Sequence, residues 1–200
     1  MRGPQRSMDP LLSAAREVLR EQGYAALTFS EVARQAHTTP QAVEAAFGTR
    51  ARLFHDLLQA YSPLPDLEAA LDAVEGESAD ELLRDAMRRM VAAADKHADI
   101  LELAVLDAQV NNGTFLASVS AAIFPKAKAL LNQIEAIGGL RPVSDAVIGR
   151  AFVSLWIGFI VSERALPGLA RLIARLLPQK AWLDGMMDLL LYGVLEDDAR

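Results

Sequence analysis

Three histidines, His37, His55 and His97, are the side chains best suited to hold a metal or move a proton in this 200-residue chain. None has a second histidine at a metal-ligand spacing, and His97, near Asp95 and Asp99, reads as a solvated helix end. Paired acids such as Asp80 and Glu81, or Asp197 and Asp198, fall at a helix start and near the chain end, where they are ordinary. Cysteine is absent, which removes thiol nucleophiles, disulfides, Cys-based zinc sites and iron–sulfur ligation. No glycine-rich phosphate loop or nucleophile elbow occurs. The residues therefore point away from catalysis and imply no cofactor and no metal. What remains is recognition chemistry: hydroxyl, amide and arginine groups early in the chain, and methionines and aromatics scattered through the rest.

The elements that must position these groups are helices. Leu11, Leu12, Ala15, Val18 and Leu19 recur at helical spacing over residues 9–22, and Gly23 follows as a stop. Thr28 and Glu31 form a capping box that opens a short second helix with Val32, Ala33 and Ala36 facing inward. Thr39 before Pro40 opens a third, which runs to about Phe47 and ends at Gly48. Thr49 caps a fourth, whose apolar stripe is Leu53, Phe54, Leu57, Leu58 and Tyr61. The proline-rich segment SPLPD, residues 62–66, is the clearest punctuation, so we divide the chain into a unit at 1–61 and a larger one at 62–200. Beyond it, helices are expected near 67–74, 78–96, 99–110, 114–137, 144–165, 166–177 and 179–195. No alternating β-branched run appears, so the fold class is all-α.

With 52% hydrophobic residues against 23% charged, the chain has ample material for packed cores. The net charge of −6 is unevenly spread: residues 1–60 hold seven arginines against six acidic residues, and the surplus of acid lies beyond them. Phosphate contacts would thus depend on the local placement of arginines. Behind Arg2 and Arg6 there is no apolar run of signal-peptide length, so a cytoplasmic location is expected. The most apolar stretch, 151–162, is about twelve residues where a spanning helix needs about 20, so no membrane association is expected.

Helices two and three, joined by a tight turn behind a longer first helix, make a helix-turn-helix, whose second member enters the major groove. Residues Gly23, Tyr24, Thr28, Val32, Ala33, Ala36, Thr39, Phe47, Gly48, Thr49, Arg50 and Leu53 together resemble the DNA-binding region of the TetR (tetracycline-repressor) family. The resemblance covers about residues 9–60 in detail and is architectural further on. It implies a homodimeric transcription regulator, a repressor in its usual form. Such a protein binds palindromic double-stranded DNA and responds to a small apolar or amphipathic effector through its C-terminal domain.

The expected recognition helix departs from the family pattern. Glu44, Ala45 and Ala46 stand where a tyrosine and a second aromatic or histidine are common, and His37 occupies the turn position usually held by glycine. On one reading Gln41 pairs with adenine, Glu44 accepts from cytosine and Ala45 touches thymine methyl groups, while Thr28, His37, Thr39 and Arg50 hold phosphates. On the other, DNA binding is weakened or lost and the chain is a TetR-like ligand-binding or protein-interaction dimer. Arg2 and Arg6 form either an arm into a groove or a loose tail.

In the C-terminal part Ser154, Gly158 and Ser162 recur every four residues and mark a smooth strip. With Met186, Leu189 and Gly193 of the last helix they are expected at the dimer interface, intrachain packing being the alternative. Met87, Met90, Phe115, Phe124, Phe152 and Trp156 are expected either to line an effector cavity or simply to fill a core. Asn111, Asn112, Gln109 and Glu102 read either as orienting groups for that effector or as parts of a helix end.

Overall fold

Four hydroxyl side chains start four of the helices. Thr28 Oγ1 accepts from Glu31 N at 3.2 Å, Thr39 Oγ1 from Ala42 N at 3.3 Å, Thr49 Oγ1 from Arg52 N at 3.1 Å and Ser78 Oγ from Glu81 N at 3.2 Å. Each satisfies a backbone donor that the first helical turn leaves free. The computed structural model describes residues 5–138, 142–165 and 178–194, and among these the chain is helical with no strand.

In order, α1 spans Gln5–Gln22 and a short 3-10 turn spans Tyr24–Ala26. Then come α2 (Phe29–Gln35), α3 (Pro40–Phe47), α4 (Arg50–Ala60), α5 (Leu64–Asp72), α6 (Ala79–Asp95), α7 (Ala98–Val110), α8 (Thr114–Ile137), α9 (Asp145–Ala165) and α10 (Gln179–Val194). The first helix begins four residues before the expected start and carries Pro10 inside it. The helix expected at 166–177 lies outside the described residues, as do Arg2 and the side chains of Arg6 and Glu102.

The chain folds as two units. One comprises residues 1–62 with 97–119, the other 63–96 with 120–200. The first chain crossing falls at the SPLPD punctuation, but α7 and the first residues of α8 do not go with the C-terminal unit as the partition at 61/62 expected. Ile100, Ala104 and Phe115 are buried in one cluster with Leu12, Val18, Val43, Phe47 and Leu57. The three-helix arrangement at the N-terminus leaves one face of α4 uncovered, and the apolar side of α7 covers it. Sequence spacing cannot show which distant helix does so.

Within the first unit Arg16 fastens α1 to α7, its Nε and Nη2 donating to Asp99 Oδ2 at 2.8 and 2.6 Å, while its guanidinium lies 4.4 Å from the Tyr61 ring centre. Asp107, fully buried, closes the α7–α8 corner. Its Oδ2 accepts from Phe115 N at 2.9 Å and its Oδ1 from Asn111 Nδ2 at 3.1 Å, across a turn in which Asn112 takes φ 54°. Asn111 and Asn112 are thus parts of a helix end, the second of the two readings offered above.

The second unit is built on α6, which buries Leu82, Leu83, Met87 and Val91 against α9 and α10. Arg84, held by Asp80 of its own helix, ties α6 to α10 by bonds to Asp184 O and to Asp188. By length and composition α8 and α9 each exceed the twelve-residue estimate made from the sequence and are long and apolar enough to cross a bilayer. The shorter estimate overlooked how far alanine, glycine and serine extend an apolar stretch. Both helices nevertheless contribute to the packed unit, through Ile134 of α8 and Phe159 of α9, and α8 is ion-paired through Lys126 to Asp72 and through Lys128 to Asp145.

Candidate functional site

Helix α3 is amphipathic because its apolar residues fall one helical turn apart. Val43 and Phe47 are buried, and Gln41, Glu44 and Ala45 are exposed on the outer side. Thr39 extends the chain into the helix and Pro40 fills its first turn; at the other end Gly48 adopts φ 70°, a left-handed conformation cheap only for glycine. The turn from α2 to α3 depends on His37, which takes φ 52°. His37 therefore accepts the left-handed geometry, and the residue is exposed.

Around this helix lie three capping threonines. Each hydroxyl oxygen of Thr28, Thr39 and Thr49 accepts from its own helix, which leaves the hydroxyl proton available to an outside acceptor such as a phosphate oxygen. All three residues are exposed.

The arginines are arranged differently from the expectation. Arg50 does not project freely: its guanidinium stacks 4.1 Å from the Tyr24 ring centre and donates through Nη2 to Tyr24 O. Tyr24 in turn meets Phe54 edge-on, with ring centres 5.0 Å apart. Arg50 is thus a clamp between the 3-10 turn and α4, held by cation–π attraction that the sequence spacing of 26 residues did not reveal. Arg52, two residues on, has a side chain 71% exposed and a loose pairing with Asp56 at 3.5 Å. Arg34 is exposed but bonded to Glu31. Arg34 and Gln22 together hold the Glu31 carboxyl at a pKa of about 2. Sequence reasoning passed over Arg52, although its place in the first turn of α4 beside the retained Arg50 was a usable signal.

The six residues proposed for an effector do not converge. Met87 and Met90 are buried on α6, and Phe152 and Trp156 pack half-buried against the same cluster as Met87. Phe115 belongs instead to the core of the first unit, where the Asp107 corner points it inward. Phe124 is 68% exposed, so it lines no interior in this chain. Helical periodicity marked all of these as apolar but could not say which core each would enter.

The helices α9 and α10, which pack against each other, carry outward apolar stripes. On α9 these are Val147, Val153, Ile157 and Val161, interleaved with exposed Ser154, Gly158 and Ser162; on α10 they are Trp182, Leu189 and Tyr192, with exposed Gly185. Leu189 is 79% exposed, Met186 is half-buried against the cluster, and the burial of Gly193 lies outside the description. A Cβ built at Gly158 or Gly185 meets nothing within 4 Å.

Residues 11–57 match the family described as bacterial regulatory proteins, tetR family. Residues 11–57 are thus a DNA-binding segment of the TetR type. Members of the TetR family are generally non-enzymatic, DNA-binding transcription regulators, and the helix-turn-helix within the matched segment is α2 and α3. No curated protein matches the chain by sequence. Among solved structures, the TetR-family regulator PfmR from Thermus thermophilus is similar at 19% identity, over 92% of this chain and 98% of that one, with a TM-score of 0.65. A protein of unknown function from Rhodococcus sp. RHA1 is similar at 18% identity over 97% of both chains, with a TM-score of 0.74. The fatty acid degradation regulator FadR from Bacillus halodurans is similar at 13% identity over 96% of both, with a TM-score of 0.67. These likenesses establish that the TetR-type helical layout extends beyond the matched N-terminal segment to nearly the whole chain.

Proposed function

We propose that this chain is a cytoplasmic, ligand-responsive homodimeric repressor of the TetR type that binds palindromic double-stranded DNA through α3. The observation that carries the reading is the outer face of α3, where Gln41, Glu44 and Ala45 project from a helix locked by buried Val43 and Phe47. Gln41 suits adenine, Glu44 suits cytosine N4 and Ala45 suits a thymine methyl, while Thr28, Thr39, Thr49, His37 and Arg52 serve the phosphates. In this assignment Arg50 positions the start of α4 and Arg52 supplies the charge.

Dimerisation follows from the α9 and α10 stripes. Only 17% of the apolar window 145–162 is buried within the chain, and a second copy supplies the cover. Glycine at exposed mid-helix positions costs about 1 kcal/mol relative to alanine, and nothing within 4 Å inside the protomer requires Gly158 or Gly185. Close approach of a partner helix does. An effector bound in the C-terminal unit would alter the spacing of the two recognition helices, which must stay one turn of DNA apart, about 34 Å, to bind together.

Selection from random oligonucleotides, followed by affinity measurements at several salt concentrations, tests the reading. The expected result is a palindromic preference, with Gln41→Ala and Glu44→Ala relaxing it at particular positions. Arg52→Ala should weaken all sequences alike and reduce the salt dependence. The competing reading, a ligand-binding dimer without DNA recognition, is favoured by Glu44 and by the engagement of Arg34 and Arg50 with their own chain. Absence of any sequence preference would establish it.

A further inference from the structure

Within the second unit one polar atom is out of keeping with its surroundings. Trp156 Nε1 is shielded from solvent and has no hydrogen-bond partner among the described residues. The cluster against which its ring packs includes Leu83, Met87, Ile134, Phe159 and Met187. Asp107 is the one buried polar or charged side chain among the described residues, and it belongs to the other unit. The arginines of α6 are already engaged, Arg84 by Asp80 and Asp188, and Arg88 and Arg89 by Asp85. The site thus combines hydrocarbon, thioether and one unanswered donor.

An indole N–H only donates, so its complement is an acceptor. A phenylalanine at this position would fill apolar space without leaving a donor unpaired, and an unpaired buried donor is costly. A carboxylate would bring a charge into this apolar cluster, where Arg84 is already paired, whereas a carbonyl would satisfy the indole without one. Methionine neighbours, unbranched and with several rotatable bonds, can yield to an incoming chain.

We propose that Trp156 is the orienting hydrogen-bond donor for the effector, and that the effector is a mainly hydrocarbon molecule bearing a neutral carbonyl, as in an ester, ketone or lactone. The inference rests on the reading of the C-terminal unit as an effector domain. It extends that reading by naming the chemistry of the ligand and the atom that recognises it.

The test uses the full-length protein and three probes of similar chain length: methyl decanoate, undecane and sodium decanoate. Affinity is followed by thermal shift and by isothermal titration. The indole ¹H–¹⁵N resonances report the bond directly, Trp156 being distinguished from Trp182 by Trp156→Phe. The expected result is that the ester binds about tenfold more tightly than the hydrocarbon, the upper range for a neutral hydrogen bond. It should also bind more tightly than the carboxylate, and move the Trp156 indole proton downfield. In Trp156→Phe the ester and hydrocarbon should bind within about twofold of each other.

Equal binding of ester and hydrocarbon to the wild type, or a preference that survives in Trp156→Phe, overturns the assignment while leaving an effector domain in place. Tighter binding of decanoate overturns the neutral-acceptor class. If no probe binds or shifts the melting temperature, the effector reading for this unit falls, and the assignment with it.

Discussion

Gly158→Leu separates what the protomer needs from what its dimer needs. Within the chain a Cβ at this position meets nothing within 4 Å, and the residue is exposed in the middle of α9. Replacing glycine with a good helix former there should stabilise the isolated protomer by about 0.5 to 1 kcal/mol. In a symmetric dimer the same substitution enters the interface twice. Overpacking costs about 1 to 3 kcal/mol per site, so association should weaken by about 2 to 6 kcal/mol, or at least about thirtyfold in dissociation constant. Sedimentation equilibrium across a range of concentrations measures the second effect. The first is obtained from urea unfolding of the protein at concentrations where the variant is monomeric, with Gly158→Ala as a smaller step in the same direction. A variant that stays as dimeric as the wild type would refute the assignment of this face. So would a variant that lost protomer stability, because the space around Gly158 would then be filled by its own chain.

Asp107→Ala should destabilise the protein by about 2 to 4 kcal/mol in denaturant unfolding, since it removes two hydrogen bonds and leaves the Phe115 N–H orphaned in a fully buried corner. Arg50→Ala should lower stability by about 1 to 2 kcal/mol through the lost stacking on Tyr24 and the lost bond to its carbonyl. Its salt dependence of DNA binding should change less than that of Arg52→Ala, a comparison that fluorescence anisotropy can make. Glu31 has a folded-state pKa of about 2, held down first by Arg34 and then by Gln22, against an ordinary value of 4.5. A depressed carboxyl contributes stability above its ordinary value and loses it as pH falls toward the folded one. The melting temperature of Glu31→Gln should therefore fall less steeply than that of the wild type between about pH 5 and about pH 2, and a direct NMR titration of the carboxyl checks the value.

The short-range features were legible in the sequence because their causes are local. Thr28, Thr39, Thr49 and Ser78 start helices through bonds three residues away, and Gly48 stops one through its own φ, so motif and structure coincide at α2, α3, α4 and α6. The same locality made the family recognisable from residues 23–53, and it fixed α3 as the element with a polar outer face. Apolar periodicity likewise marked α9 and α10 as helices in need of cover.

What depended on tertiary structure was which partner each side chain meets. Arg50 looked like a phosphate ligand until Tyr24, 26 residues earlier, was seen beneath it. Phe115 and Met87 read alike in sequence yet enter different cores, because Asp107 turns the start of α8 into the first unit. The outward direction of Leu189 and Gly158, and the unpaired state of Trp156 Nε1, are also set by packing. Each of these depends on contacts between residues far apart in the chain, for which the sequence carries composition and period but no address.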